Sequence, residues 1–295
     1  MCLHENVLEK PFNKMPNCFS QRKAITRQAC DCKRPRVEHR QAKNSQTSEQ
    51  IINCHNREET PMSELVKLKT ENQISFISMD DGKANAMSVA MLEGLNAALD
   101  EAERSGSVVI LSGRENVLSG GFDLGVFKGG DNEKILKMLT LGAELSHRML
   151  SYPKPIIAAC TGHAVAMGTF LLLCCDYRVG ASGNSRFAAN EVAIGLTVPY
   201  FAIEVIKQRI INKHRSKAVG LAHFFDIEEA LEAGFVDEIA EPDQVVTAAT
   251  SKAEEFLKLD LKAHTSSKLR LREPMLESLR VAIDKDIDVW KKRQL

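Results

Sequence analysis

KPIIAACTGHAVAMGTFLLLCCDYRVG, residues 154–180, decides the fold. Pro155–Cys160 is a short, continuously apolar run ended by Thr161-Gly162, the signature of a strand buried on both faces. Gly168–Cys174 is apolar all round, so it reads as a helix enclosed on every side rather than one lying on a surface. Tyr177–Val179 is then a second buried strand. Strand, buried helix and strand within 27 residues imply α/β layering. The whole run lacks the Gly-Lys-Ser/Thr of a phosphate loop.

Working outward, Gln73–Met79 and Val108–Leu111 have strand composition, and Ser185–Ala188 completes a third short run after Tyr177–Val179. Ser88 is a suitable N-cap for a helix to Glu103 whose apolar face is Met91, Leu92, Leu95, Ala98, Leu99 and Ala102. A second helix spans about 132–150 and stops at Pro153 and Pro155. Tyr200–Gln208 is helical, and from Ile227 the pattern is helical to the end, broken near Glu241-Pro242. No internal repeat is evident. The expected fold class is α/β with a helical C-terminal region.

At 295 residues, with 44% hydrophobic and 26% charged side chains, the chain can bury a large core. Its formal net charge of zero offers no attraction to nucleic acid or an anionic membrane. The longest apolar stretch, Ala164–Cys175, is about half of what a bilayer span needs. Neither nucleic acid nor membrane is therefore an expected partner. Residues 1–61 differ from the rest. They hold Cys2, Cys18, Cys30, Cys32 and Cys54 without hydrophobic periodicity, and no apolar segment of a secretory signal. Cys30 and Cys32 with His39 and His55 lack the second cysteine pair of a zinc site, so no metal is expected. We expect 1–61 to be a disordered extension, with Met62 a natural start; 62–253 to form the core; and 254–295 to form a helical region. Arg22, Lys23 and Arg27 suit a mitochondrial presequence, but the acidic residues and scattered cysteines of 1–61 do not. Arg293-Gln294-Leu295 is only distantly like a peroxisomal S-K-L. The compartment is not readable, cytoplasmic or mitochondrial being favoured over peroxisomal.

Three loops lie where α/β proteins place ligands. They are Ser119–Asp123, Gly162–Gly168 and Asn190–Pro199. Singly each is a common turn. Together with KANAMS (83–88), VLSGGFDL (117–124), the 154–180 stretch and FAANEVAIGLTVP (187–199), their order and spacing resemble the crotonase superfamily, the enoyl-CoA hydratase/isomerase family. The resemblance runs from about Leu65 to the C-terminus.

It implies a spiral of ββα turns, with residues 254–295 driving assembly into a homotrimer or dimer of trimers. It also implies an acyl-CoA thioester substrate, with coenzyme A part of that substrate and no separate cofactor. By position, the backbone N–H groups of Phe122 and Met167 would hold the thioester carbonyl oxygen. Lys83, Ala84, Asn85, Ala86, Gly121, Gly168 and Phe170 would contact substrate. Bulk at Phe122 and Met167 suggests a narrowed pocket.

Hydratases of the family use two glutamates to activate water. The second aligns with Glu191, after a one-residue insertion near Gly183; the first aligns with Phe170, which can neither accept a proton nor orient water. One glutamate in the setting Asn190-Glu191, Gly195, Pro199, Tyr200-Phe201 resembles the mitochondrial-type Δ3,Δ2-enoyl-CoA isomerases. An apolar wall would raise its pKa from about 4.3 toward neutrality, which suits a group that is both base and acid. Isomerisation of 3-enoyl-CoA to trans-2-enoyl-CoA is thus the expected activity. A one-carboxylate hydratase and a catalytically silent acyl-CoA binder are the alternatives. Thr169 and His163 do not replace the missing glutamate by position; His163, Asp123 and Asp176 read as structural, and Lys268, Arg270 and Arg272 as a solvated helix face.

Overall fold

The computed structural model describes residues 64–292. The expectation for residues 1–61, and the cysteines within it, lie outside them. No helix among the described residues is long and apolar enough to cross a membrane.

β1 (Val66–Glu71) and β2 (Ile74–Met79) form an antiparallel hairpin turned by Asn72 and Gln73, both at positive φ as a two-residue hairpin turn requires. α1 (Val89–Ser105) returns the chain to β3 (Val108–Ser112), parallel to β2. It is capped by Ser88, which accepts from the Met91 N–H at 3.2 Å, and it buries the predicted apolar face. β4 (Asn116–Ser119) and α2 (Leu124–Gly129) lead into α3 (Asn132–Ser151). β5 (Ile156–Cys160), β6 (Gly162–Val165) and α4 (Met167–Cys174) follow. All eight residues of α4 are buried, as an apolar-all-round helix demands.

β7 (Tyr177–Ala181) and β8 (Phe187–Ala188) precede a 3-10 turn at Glu191–Ile194 and α5 (Tyr200–Arg209). α6 (Asn212–Gly220), α7 (Ile227–Ala233), β9 (Glu238–Ala240), α8 (Val245–Leu257) and α9 (Leu261–Lys292) complete the described chain. The strands form two sheets, β1-β2-β3-β5-β7-β9 and β4-β6-β8. From β3 onward, each circuit adds one strand to the large sheet, one to the small sheet and then helix: the ββα spiral the resemblance implies.

The structure corrects several expectations. β4, β6 and β9, read as loop or helix, are strands of three or four residues, too short to show alternation. β9 interrupts the helical tail because Asp237 anchors it to β7: its carboxylate accepts from the Arg178 backbone N–H (2.9 Å) and guanidinium (2.7 and 2.9 Å). The third predicted run shrinks to Phe187–Ala188. α2 and α6 were not anticipated; α6 buries only Ala218 and so carries no apolar face.

Lys268 and Arg272 are not solvated. Separated by one helical turn, they face inward, where Lys268 Nζ and Arg272 Nη2 meet the Asp176 carboxylate at 3.0 and 2.8 Å. They also donate to the carbonyls of Lys154 and Leu150, locking α9 onto the ends of α3 and β5. Arg270, by contrast, is exposed as expected.

Candidate active site

The small sheet assembles the site. Its three strands are parallel, so their C-terminal ends emerge along one edge, in the register Ser119↔Ala164 and Val165↔Ala188. Phe122, Met167 and Glu191 follow those ends by three, two and three residues. Residues about 45 and 24 positions apart are brought to one edge by topology alone.

At the first end, Gly121 and Phe122 bridge to Met87: Met87 N–H donates to Gly121 O (2.8 Å) and Asp123 N–H to Met87 O (3.5 Å). In such a parallel bridge the intervening Phe122 N–H points away from Met87. At the second end, Ala166 adopts φ 50°, ψ −124°, a region costly for a residue with a Cβ and one that clusters at functional sites. This turn starts α4, and the Met167 N–H is one of its unpaired N-terminal donors. Among the described residues neither the Phe122 nor the Met167 N–H has an acceptor. Gly121, at φ +100°, lets the two turns touch: a Cβ there would lie 2.8 Å from Ala166 Cβ.

The loop 80–86 lies against the first turn. Gly120 N–H donates to Ala84 O at 2.7 Å, and Ser119 Oγ to Asn85 O at 2.6 Å. Asp81 organises the loop by accepting from the N–H groups of Lys83, Asn85 and Ala86. Partial burial pushes its carboxyl up, but those bonds outweigh it and hold the pKa below the ordinary value. Lys83 and Ala84 are exposed, while Asn85 is buried and uses its amide to bind Met79 O and Leu118 O. Asn85 thus shapes the loop from inside. Gly168 backs onto Ser119.

Glu191 opens the 3-10 turn and is 8% exposed. Its Oε2 is buried with no hydrogen-bond partner. Burial pushes its pKa up to about 7, only partly offset by its own backbone N–H. Phe170 is buried in α4, edge-on to Phe201 with centroids 5.9 Å apart, and Phe201 in turn meets Trp290. Thr169 donates to Ala164 O and Ala188 O, tying α4 to the small sheet.

His163 is exposed on β6 and accepts from the Arg186 N–H through Nδ1. Asp123 caps α2. Both have structural tasks, as read from the sequence. No group of metal-ligating side chains occurs among the described residues. Sequence reasoning missed Asp286. It is buried on α9 and accepts from the N–H groups of Tyr200 (3.0 Å) and Phe201 (2.8 Å), capping the helix that follows the Glu191 loop. With 85 residues between the partners, no local signal could reveal it.

Surface grooves of about 480 Å³ between α5 and α9 and about 820 Å³ beside β1 and β2 are lined by neither Glu191, Phe122 nor Met167. Chemistry rather than volume marks the site.

A profile described as enoyl-CoA hydratase/isomerase matches residues 69–294. The structure superposes on a probable enoyl-CoA hydratase, EchA3, of Mycobacterium tuberculosis H37Rv with a TM-score of 0.73 at 48% identity, covering 75% of this chain and 93% of that one. An apo structure of the same mycobacterial protein, there described as an enoyl-CoA isomerase, gives 0.73 at 47%, covering 77% and 99%. A putative enoyl-CoA hydratase of Thermus thermophilus is 33% identical over 207 residues, 68% of this chain and 78% of its own.

Proposed function

The chain belongs to the enoyl-CoA hydratase/isomerase family, and we propose that within it this protein moves a double bond, converting 3-enoyl-CoA to trans-2-enoyl-CoA. The family acts on acyl-CoA thioesters in fatty-acid metabolism. One observation carries the finer reading: among the described residues, Glu191 is the buried carboxylate with an oxygen that bonds to nothing, and its pKa is about 7.

The thioester oxygen would sit between the N–H groups of Phe122 and Met167. Fixed dipoles in a dry site stabilise the charge that develops on that oxygen, and removing one such donor typically raises a barrier by about 2.7–4 kcal/mol. Glu191 takes a proton from C2. The electron pair delocalises over the thioester and the C3–C4 double bond, and the same proton, returned to C4, leaves the double bond between C2 and C3. No water enters and no proton is gained or lost overall. A carboxyl near pH 7 is suited to both transfers. Phe170 supports the same reading, since a phenyl ring stands where the resemblance places a hydratase's first glutamate.

The test is product identification on 3-hexenoyl-CoA and 2-hexenoyl-CoA. The wild-type chain should isomerise the former and hydrate the latter poorly, and Glu191→Gln should lower isomerisation by about 10²–10⁴-fold. Retained isomerisation in that variant, or a wild-type chain that hydrates 2-enoyl-CoA and leaves 3-enoyl-CoA unchanged, would overturn the proposal.

A further inference from the structure

α3 carries a glycine in its interior, TLGAEL at 140–145, where alanine would favour the helix. Gly142 is buried, and its surroundings explain it. A Cβ there would lie 2.6 Å from Phe122 Cζ, 2.7 Å from Phe122 Cε1 and 3.1 Å from Met167 Cε. The side chains of the two residues that present free N–H groups therefore converge on one bare stretch of a third element.

We infer that Gly142 is a positioning residue that sets the spacing of the Phe122 and Met167 amides, by giving the phenyl ring and the thioether methyl a flat seat on α3. The inference rests on reading those amides as the thioester-oxygen site. Both turns are fixed on their far sides. Phe122 is tied to β-bridge partner Met87, and the start of α4 is tied to β8 by Ala166 N–H donating to Ala188 O at 2.8 Å. Gly121, having no Cβ, lets the two turns approach closely at Ala166. A methyl group at 142 must then displace the tip of the ring by about 1 Å to reach ordinary van der Waals separation. The Met167 methyl can rotate aside. The ring can answer by turning about Cα–Cβ, but it packs against the hydrophobic core, so part of its displacement is passed to the Phe122 backbone, and two converging dipoles lose their common focus.

The experiment is a cycle in the full chain: wild type, Gly142→Ala, Phe122→Leu and the double variant. It measures kcat and KM on 3-hexenoyl-CoA together with the infrared carbonyl stretch of bound 13C-thioester-labelled 2-hexenoyl-CoA. Gly142→Ala should lower kcat about 10- to 100-fold, part of what a lost donor costs, with KM nearly unchanged. The carbonyl stretch should move back toward its free-solution frequency. In the Phe122→Leu background, which lacks Cζ, the same alanine should change kcat by less than about threefold, the non-additivity expected of residues in contact. Equal losses in both backgrounds, or an unmoved carbonyl stretch, overturn the inference.

If Gly142→Ala does not fold, the double variant is compared with Phe122→Leu. Folding with the same carbonyl frequency supports the seat, and failure to fold overturns it. A wild-type complex whose carbonyl stretch equals that in solution would instead refute the oxygen site itself, which separates the two failures.

Discussion

Replacing Glu191 by glutamine should stabilise the protein at alkaline pH while removing the proposed base. Burial holds this carboxyl at about 7 against an ordinary 4.5, so the folded chain binds that proton some 300-fold more tightly than the unfolded chain. At 1.36 kcal/mol per tenfold, the difference is about 3 kcal/mol. The sign follows from proton binding. Between pH 4.5 and 7 the folded state holds a proton that the unfolded state has released, so stability contributed by this group is complete below 4.5 and lost as pH rises through 7. Glutamine does not titrate. The stability difference, variant minus wild type, should be flat below pH 4.5, climb by about 3 kcal/mol and level off above pH 7.5. For a domain of this size that is a rise of about 6–12 °C in relative Tm. Any constant cost of burying the amide shifts the whole curve and leaves its shape alone. The assay is paired urea and thermal melts from pH 4.5 to 8.5, with kcat/KM of the wild type over the same range falling tenfold per pH below about 7. Parallel melting curves would show that Glu191 is not desolvated and would refute the argument for its role as base.

Two further outcomes test the surroundings. Phe170→Glu should raise 3-hydroxyacyl-CoA formation from 2-enoyl-CoA by supplying a second carboxylate, and should lower stability by about 3–5 kcal/mol, the usual loss for a buried phenylalanine; unchanged urea unfolding would refute its place against Phe201. Asp286→Ala leaves two N–H groups at the start of α5 without their acceptor and should cost about 1–3 kcal/mol, with Asp286→Asn losing less because its amide oxygen still accepts. Equal urea midpoints for all three chains would refute the cap.

Much of the architecture was legible where a segment's chemistry is self-contained. α1 declares itself by a serine cap and a 3.6-residue apolar face, and α4 by having no polar face. β4, β6 and β9 were illegible because strands of three or four residues gain their identity from neighbours. The same distance problem hid the Lys268–Asp176–Arg272 cluster: cations on a helix look solvated until a carboxylate 92 residues away is brought beneath them. In the site, Glu191 stood out as a carboxylate in an apolar run. Phe122 and Met167 could not stand out, since what they offer is backbone N–H groups available at any residue type. They entered only through the resemblance, and what marks them physically is the bridge to Met87 and the positive φ of Ala166.

The treatment of three carboxylates, finally, separates structure from chemistry without appeal to relatives. All three are withdrawn from water at the side chain. Asp176 receives an ammonium, a guanidinium and the Ile156 N–H. Asp286 receives two N–H groups at a helix start; burial pushes its pKa up, and those bonds pull it back in part. Both are arranged as a fold arranges any buried charge, with enough donors to offset lost hydration. Glu191 receives one bond from its own backbone, and its second oxygen receives none. A fold under selection for stability alone would replace such a group with an apolar one at little cost to packing. Its presence at the edge where two unpaired backbone N–H groups emerge is explained if the missing partner is the proton of a substrate.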